Sequence, residues 1–270
     1  MQKNIKKLMF SAILLLIFLI LPSTSVLADE TKSYINKKQL DKGIITIDYN
    51  TKEDIKTKVR IIKDEINYDY DLSIGSSYSL QLGNGSYTIF ILENVKGNIY
   101  QVVDKEEVVL DLSNEYDVFL QSIQNIYWNV DMDIIKTAEE LTKNAKNNLE
   151  KANIIYSYVV ENIKYDLKKA YSVKPGYIPS IEATAKNGKG ICYDYASLYA
   201  AMMRSIDVPT RLVMGNNVNI DLYHAWNEVY IEEIDQWIIV DTTFDASFNN
   251  NNSSDNIAKD ASDYIMEVYY

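Results

Sequence analysis

Apolar and polar residues alternate with a period of two along the first half of the chain. The runs are Ile44–Tyr49, Val59–Ile62, Asp69–Leu72, Ser79–Leu82, Tyr87–Leu92 and Ile99–Val103. Gly83-Asn84-Gly85 and Lys96-Gly97-Asn98 separate the later runs as turns. Short alternating segments divided by turn residues predict antiparallel strands, and their number predicts an all-β, sandwich-like domain over 44–112. Tyr68, Tyr70, Tyr78 and Tyr87 fall on these strands, where tyrosine is expected to pack. Residues 29–43 are polar and read as a linker, and 113–133 as an extended connector.

The period changes after the connector. Ile134–Lys143 and Leu149–Ile163 carry apolar residues at helical spacing, in the second case Leu149, Ala152, Ile155, Tyr156, Val159, Val160 and Ile163. Pro175-Gly176 and Pro179 mark 165–181 as a surface loop. A third helical face runs through Ile191, Tyr195, Leu198, Met202 and Ile206. Two strands follow, Tyr223–Ile231 and Gln236–Asp241, joined across the polar stretch Glu232–Asp235. The pattern predicts an α+β second domain over 134–270.

The first 28 residues have a different character. Lys3, Lys6 and Lys7 precede a 14-residue run, Leu8–Leu21, broken only by Ser11, and the stretch ends in Val26-Leu27-Ala28. A basic start, a short apolar run and a small residue at the end predict a cleaved signal peptide over 1–28. The run is shorter than the roughly 20 residues that span a bilayer. The expected location is therefore secreted or cell-wall-associated, with no stable membrane insertion after processing. The whole chain's 47% hydrophobic and 24% charged composition is that of a folded protein. Cleavage would remove three lysines and no acids, taking the formal net charge from −11 to −14. Such acidity, with no basic cluster, argues against nucleic acid as a partner.

The chain has one cysteine and one histidine. A lone cysteine forms no internal disulfide, and in an oxidising compartment it is a liability unless buried or used. Gly188-Lys189-Gly190-Ile191 leads into the helix at Cys192. Thiols in the first helical turn are favoured as thiolates by the exposed N–H groups. Those N–H groups are also candidate oxyanion donors. The competing reading is a small buried residue. His224 lies on the first of the two paired strands and Asp241 at the end of the second. If Ile231 pairs with Gln236, His224 stands opposite Thr243 and diagonal to Asp241. If it pairs with Ile234, His224 stands directly opposite Asp241. Either register puts imidazole and carboxylate on one face, and a slip of one residue would part them.

Four blocks carry a resemblance: Lys189–Ala196 around the cysteine, Val208–Gly215, His224–Val229, and Trp237–Asp241 with Thr242-Thr243. Together, over about residues 130–248, they resemble the transglutaminase-like superfamily. The resemblance implies a papain-like core in which the cysteine helix packs on an antiparallel sheet. It implies a triad of Cys192, His224 and Asp241 and acyl-thioester chemistry on protein or peptide amides, by crosslinking or by hydrolysis. It also implies a further oxyanion side chain, for which Tyr177 and Asn187 are the candidates, while Trp226 and Asn227 would shape the site. No cofactor or metal is expected; the acids around Asn249–Ser254 lack calcium-loop spacing. The other reading of the whole chain is a non-catalytic extracellular binding or scaffold module.

Overall fold

A computed structural model describes residues 33–51, 54–248 and 257–270. The expected signal peptide and the run Asn249–Ser254 lie outside the described residues.

The N-terminal strands are β1 (Ile35–Asn36), β2 (Ile44–Ile47), β3 (Thr57–Lys63), β4 (Ile66–Asp71), β5 (Ser77–Ser79), β6 (Gly85–Lys96) and β7 (Ile99–Leu110). They form two antiparallel sheets, of order β1-β2-β5 and β4-β3-β6-β7. Alternate residues enter a shared core: Ile45, Ile47 and Tyr78 from the small sheet, Val59, Ile61, Ile89 and Ile91 from the large one. Tyr68, Tyr70, Tyr78 and Tyr87 are all buried there. Burial adds roughly 1.5–3 kcal/mol for each such large apolar side chain, which is why these rings pack rather than present a binding face.

Two flanking segments are more ordered than their polarity suggests. Ile35 lies within the expected linker, yet it is buried and pairs with Ile47. The connector holds a 3-10 turn, Glu115–Leu120, that drives Val118 and Phe119 into the N-terminal core.

The second half contains α1 (Asp133–Thr142), α2 (Asn148–Asn162), β8 (Lys164–Tyr165), α3 (Leu167–Ser172), α4 (Ile181–Asn187), β9 (Lys189–Gly190) and α5 (Cys192–Ser205). It continues with β10 (Thr210–Asn217), β11 (Ile220–Ile231), β12 (Gln236–Val240), α6 (Thr242–Phe248) and β13 (Tyr264–Tyr269). The expected loop at 165–181 thus contains β-structure and a helix. Asp166 starts α3 by accepting the Lys169 N–H at 3.0 Å, a capping contact that offsets the helix's shortness.

Helix α5 is the hub. Every residue from Asp194 to Arg204 is buried among α1, α2 and the sheet β12-β11-β10-β13. The helix packs on β11, and Asn227 ties the two by donating to the Ala196 carbonyl at 2.9 Å. The sheet's other side meets the connector and the N-terminal core. There the Arg211 guanidinium lies 4.0 Å from the Trp237 ring and 4.7 Å from Phe119. Arg204, fully buried in α5, donates to carbonyls of Thr210, Gln121 and Tyr270. One side chain therefore joins the cysteine helix, the sheet, the connector and the C-terminal strand.

Candidate active site

Cys192 opens α5 and is half-buried. Local bonds fix that opening. Asp194, in the first turn, accepts the Ile191 N–H at 2.8 Å, the Tyr177 hydroxyl at 2.5 Å and the Lys169 ammonium at 2.7 Å. A carboxylate there satisfies an orphan N–H and complements the helix dipole. The approach needs glycine at 190, because a Cβ would stand 2.5 Å from the Asp194 Cβ. Beside it β8 pairs in parallel with β9, setting Tyr165 against Gly190. This brings the Tyr165 phenol within electrostatic reach of Cys192, and burial, then that thiol, raise its pKa.

His224 comes from β11, where its partner on β10 is Gly215. A Cβ at 215 would stand 2.1 Å from the Ile265 carbonyl of β13, so only glycine admits the three strands together. The observed register pairs Ile231 with Gln236 and Asn227 with Val240. β12 stops at Val240 because Asp241 caps α6, accepting the Phe244 N–H on Oδ1 at 2.9 Å. Thr242 and Thr243 are consequently helical and do not extend the strand. Asp241 Oδ2 lies 2.7 Å from His224 Nε2, with both side chains buried. That leaves Nδ1 for the Cys192 thiol, with which the ring also hydrogen-bonds. Burial lowers the His224 pKa, but the hydrogen bonds to Asp241 and Cys192 and their negative charges outweigh it, and the value rises to about 9.

The remaining sequence candidates divide. Trp226 is buried beside His224, ring centroids 6.2 Å apart and nearly parallel, and its Nε1 has no hydrogen-bond partner among the described residues. Asn227 donates to the Ala196 and Arg211 carbonyls and so holds β11 on α5. Tyr177 does not suit an oxyanion role, since its single proton is given to Asp194. Asn187 is exposed at the end of α4, and no described contact joins it to Cys192. The residues that sequence reasoning missed are Tyr165, Asp194 and Tyr264. The Tyr264 hydroxyl donates to Asp241 Oδ2 at 3.0 Å. Tyr165 had a faint signal, the alternation of Ile163–Asp166 after a helix. Tyr264 had none that tied it to Asp241.

Residues 135–242 match the model of the transglutaminase-like superfamily. This span is similar to a transglutaminase-like core. The core holds Cys192, His224 and Asp241, and stops short of Tyr264. Over 228 residues the chain is 24% identical to the UPF0252 protein MJ1282 of Methanocaldococcus jannaschii, covering 73% of this chain. The chain spans 64% of that relative's length. Among solved structures, a protein proposed to be a cysteine protease, from Cytophaga hutchinsonii, is 18% identical with a TM-score of 0.41. The match covers 70% of this chain and 73% of that one. The periplasmic domain of TgpA from Pseudomonas aeruginosa is 12% identical with a TM-score of 0.38, covering 82% and 96%. Among the described residues no cluster of His, Cys, Asp and Glu is placed to hold a metal ion, and no helix is long and apolar enough to cross a membrane.

Proposed function

We propose that this protein is an exported cysteine acyltransferase or amidase that attacks protein or peptide amides through a thioester on Cys192. The observation that carries the reading is the buried His224–Asp241 pair, 2.7 Å apart, hydrogen-bonded through His224 to the thiol at the start of α5. Asp241 fixes the ring by its Nε2–H and stabilises the imidazolium. Nδ1 holds the proton that Cys192 gives up. The thiolate adds to the amide carbonyl, and the tetrahedral oxygen takes up the negative charge. The first-turn N–H of Cys192, which has no acceptor within the helix, is one donor to that oxygen. The Tyr165 hydroxyl is the second in this reading. Collapse breaks the C–N bond as the His224 proton passes to the leaving amine or ammonia. An incoming amine or water then gives its proton to His224, attacks the thioester and returns the thiol.

Export is supported by the basic start and the apolar run at Leu8–Leu21. N-terminal sequencing of protein recovered from culture medium checks it, with processing after Ala28 expected. For the chemistry, turnover of glutamine-containing peptides is measured by primary-amine incorporation and by ammonia or fragment release. Cys192→Ala and His224→Ala are expected to abolish both signals. Undiminished turnover in either variant refutes the proposal, and the ratio of the two signals separates transfer from hydrolysis.

A further inference from the structure

We infer that Tyr264 is a positioning residue for the His224–Asp241 pair, supplied by the C-terminal segment that lies beyond the transglutaminase-like core. The inference rests on the reading of that pair as the catalytic dyad of Cys192.

The segment is anchored at both ends. Ala258 bridges to Val240 and the Lys259 N–H donates to the Ile239 carbonyl, so the chain runs along the free edge of β12. Lys259 pairs with Asp245 of α6 at 2.5 Å. The chain then joins β10 on the opposite edge as β13, packed tightly over Gly215. Between these anchors Tyr264 turns its ring against Trp226, centroids 5.0 Å apart, and Trp226 in turn lies beside His224. Its hydroxyl reaches the same oxygen that holds His224, at 3.0 Å against 2.7 Å. With the Phe244 N–H on Oδ1, the carboxylate is held by three donors from three elements. A carboxylate so fixed has no freedom to rotate away from the imidazole.

The titratable neighbours define what a change would report. His224 faces Asp241 and Cys192. Tyr264 faces Asp241, Asp245 and Asp263, and its pKa is raised by burial and then by those charges. It therefore stays a proton donor through neutral pH. A hydroxyl donated to a carboxylate draws off part of its charge, so its loss leaves Asp241 a stronger acceptor for the imidazolium.

Because the chain has a single histidine, His224 can be followed alone. The test is an NMR titration of the untagged, 15N-histidine-labelled protein. Wild type, Tyr264→Phe, which keeps the ring and its contact with Trp226, and Cys192→Ala would be compared. The expected result for Tyr264→Phe is a midpoint about half a pH unit higher. Faster solvent exchange of the Nε2 proton is expected with it, with cooperative unfolding retained. An unchanged midpoint and exchange rate overturns the inference. A wild-type midpoint near the ordinary ~6.5, indifferent to Cys192→Ala, would instead sink the catalytic reading itself.

Discussion

Asp194→Ala is the substitution that couples fold to site most directly. The carboxylate is fully buried and accepts from Ile191 N–H, Tyr177 and Lys169. Removal strands a buried N–H and a phenol, and parts Lys169 from its only described carboxylate partner. Lys169 is 28% exposed and recovers some hydration, so its loss counts for little. The other two donors, bonded to a charged acceptor, are worth about 1.5–3 kcal/mol each. The expected loss is therefore about 3–6 kcal/mol, comparable to breaking one side of a buried ion pair. In urea, with a slope near ~3 kcal/mol/M, the midpoint falls by ~1–2 M. Asp194→Asn keeps the shape and an acceptor oxygen, and is expected to lose about half as much. Equilibrium unfolding followed by tryptophan fluorescence measures both. A loss under about 1 kcal/mol for Asp194→Ala would show that the cap is dispensable, and that α5 is held at Cys192 by core packing alone.

Two further outcomes follow from the same geometry. Gly215→Ala places a methyl group 2.1 Å from the Ile265 carbonyl. It is expected to destabilise by more than about 2 kcal/mol and to detach β13, exposing its amides to hydrogen exchange. For acyl transfer, His224 must be protonated to release the leaving amine. Its pKa is raised to about 9, so it carries the proton below that value and loses it above. The alkaline limit of turnover is expected near pH 9 and to fall toward neutrality in Asp241→Asn, as a pH–rate profile would measure.

Much of the site was legible because its residue types are rare in this chain. A single cysteine after two glycines and a single histidine on a strand carry little ambiguity. The polar stretch Glu232–Asp235 left two registers open, and of these Ile231 pairs with Gln236. What the sequence concealed depends on contacts distant along the chain. Asp241 leaves the strand to cap a helix because Phe244 N–H needs an acceptor, a local competition that alternation does not register. Tyr177 was one of two candidates for an oxyanion donor, but its proton is claimed by Asp194, a residue hidden by its ordinary position in a helical pattern. Tyr264 reaches Asp241 across the sheet, from a strand whose own pattern predicts only pairing. Ile35 pairs over two residues, too few for any period to show.

Acyl transfer by this protein depends most directly on the state of Cys192. Its alkylation rate by iodoacetamide, followed by intact mass from pH 5 to 10, is compared between the protein and its His224→Ala variant. Fast reaction persisting at pH 6, slowed at least tenfold by the substitution, is the predicted result for a thiolate–imidazolium pair. Slow reaction that rises only near the ordinary thiol range of ~8.5, equal in the two proteins, would contradict it.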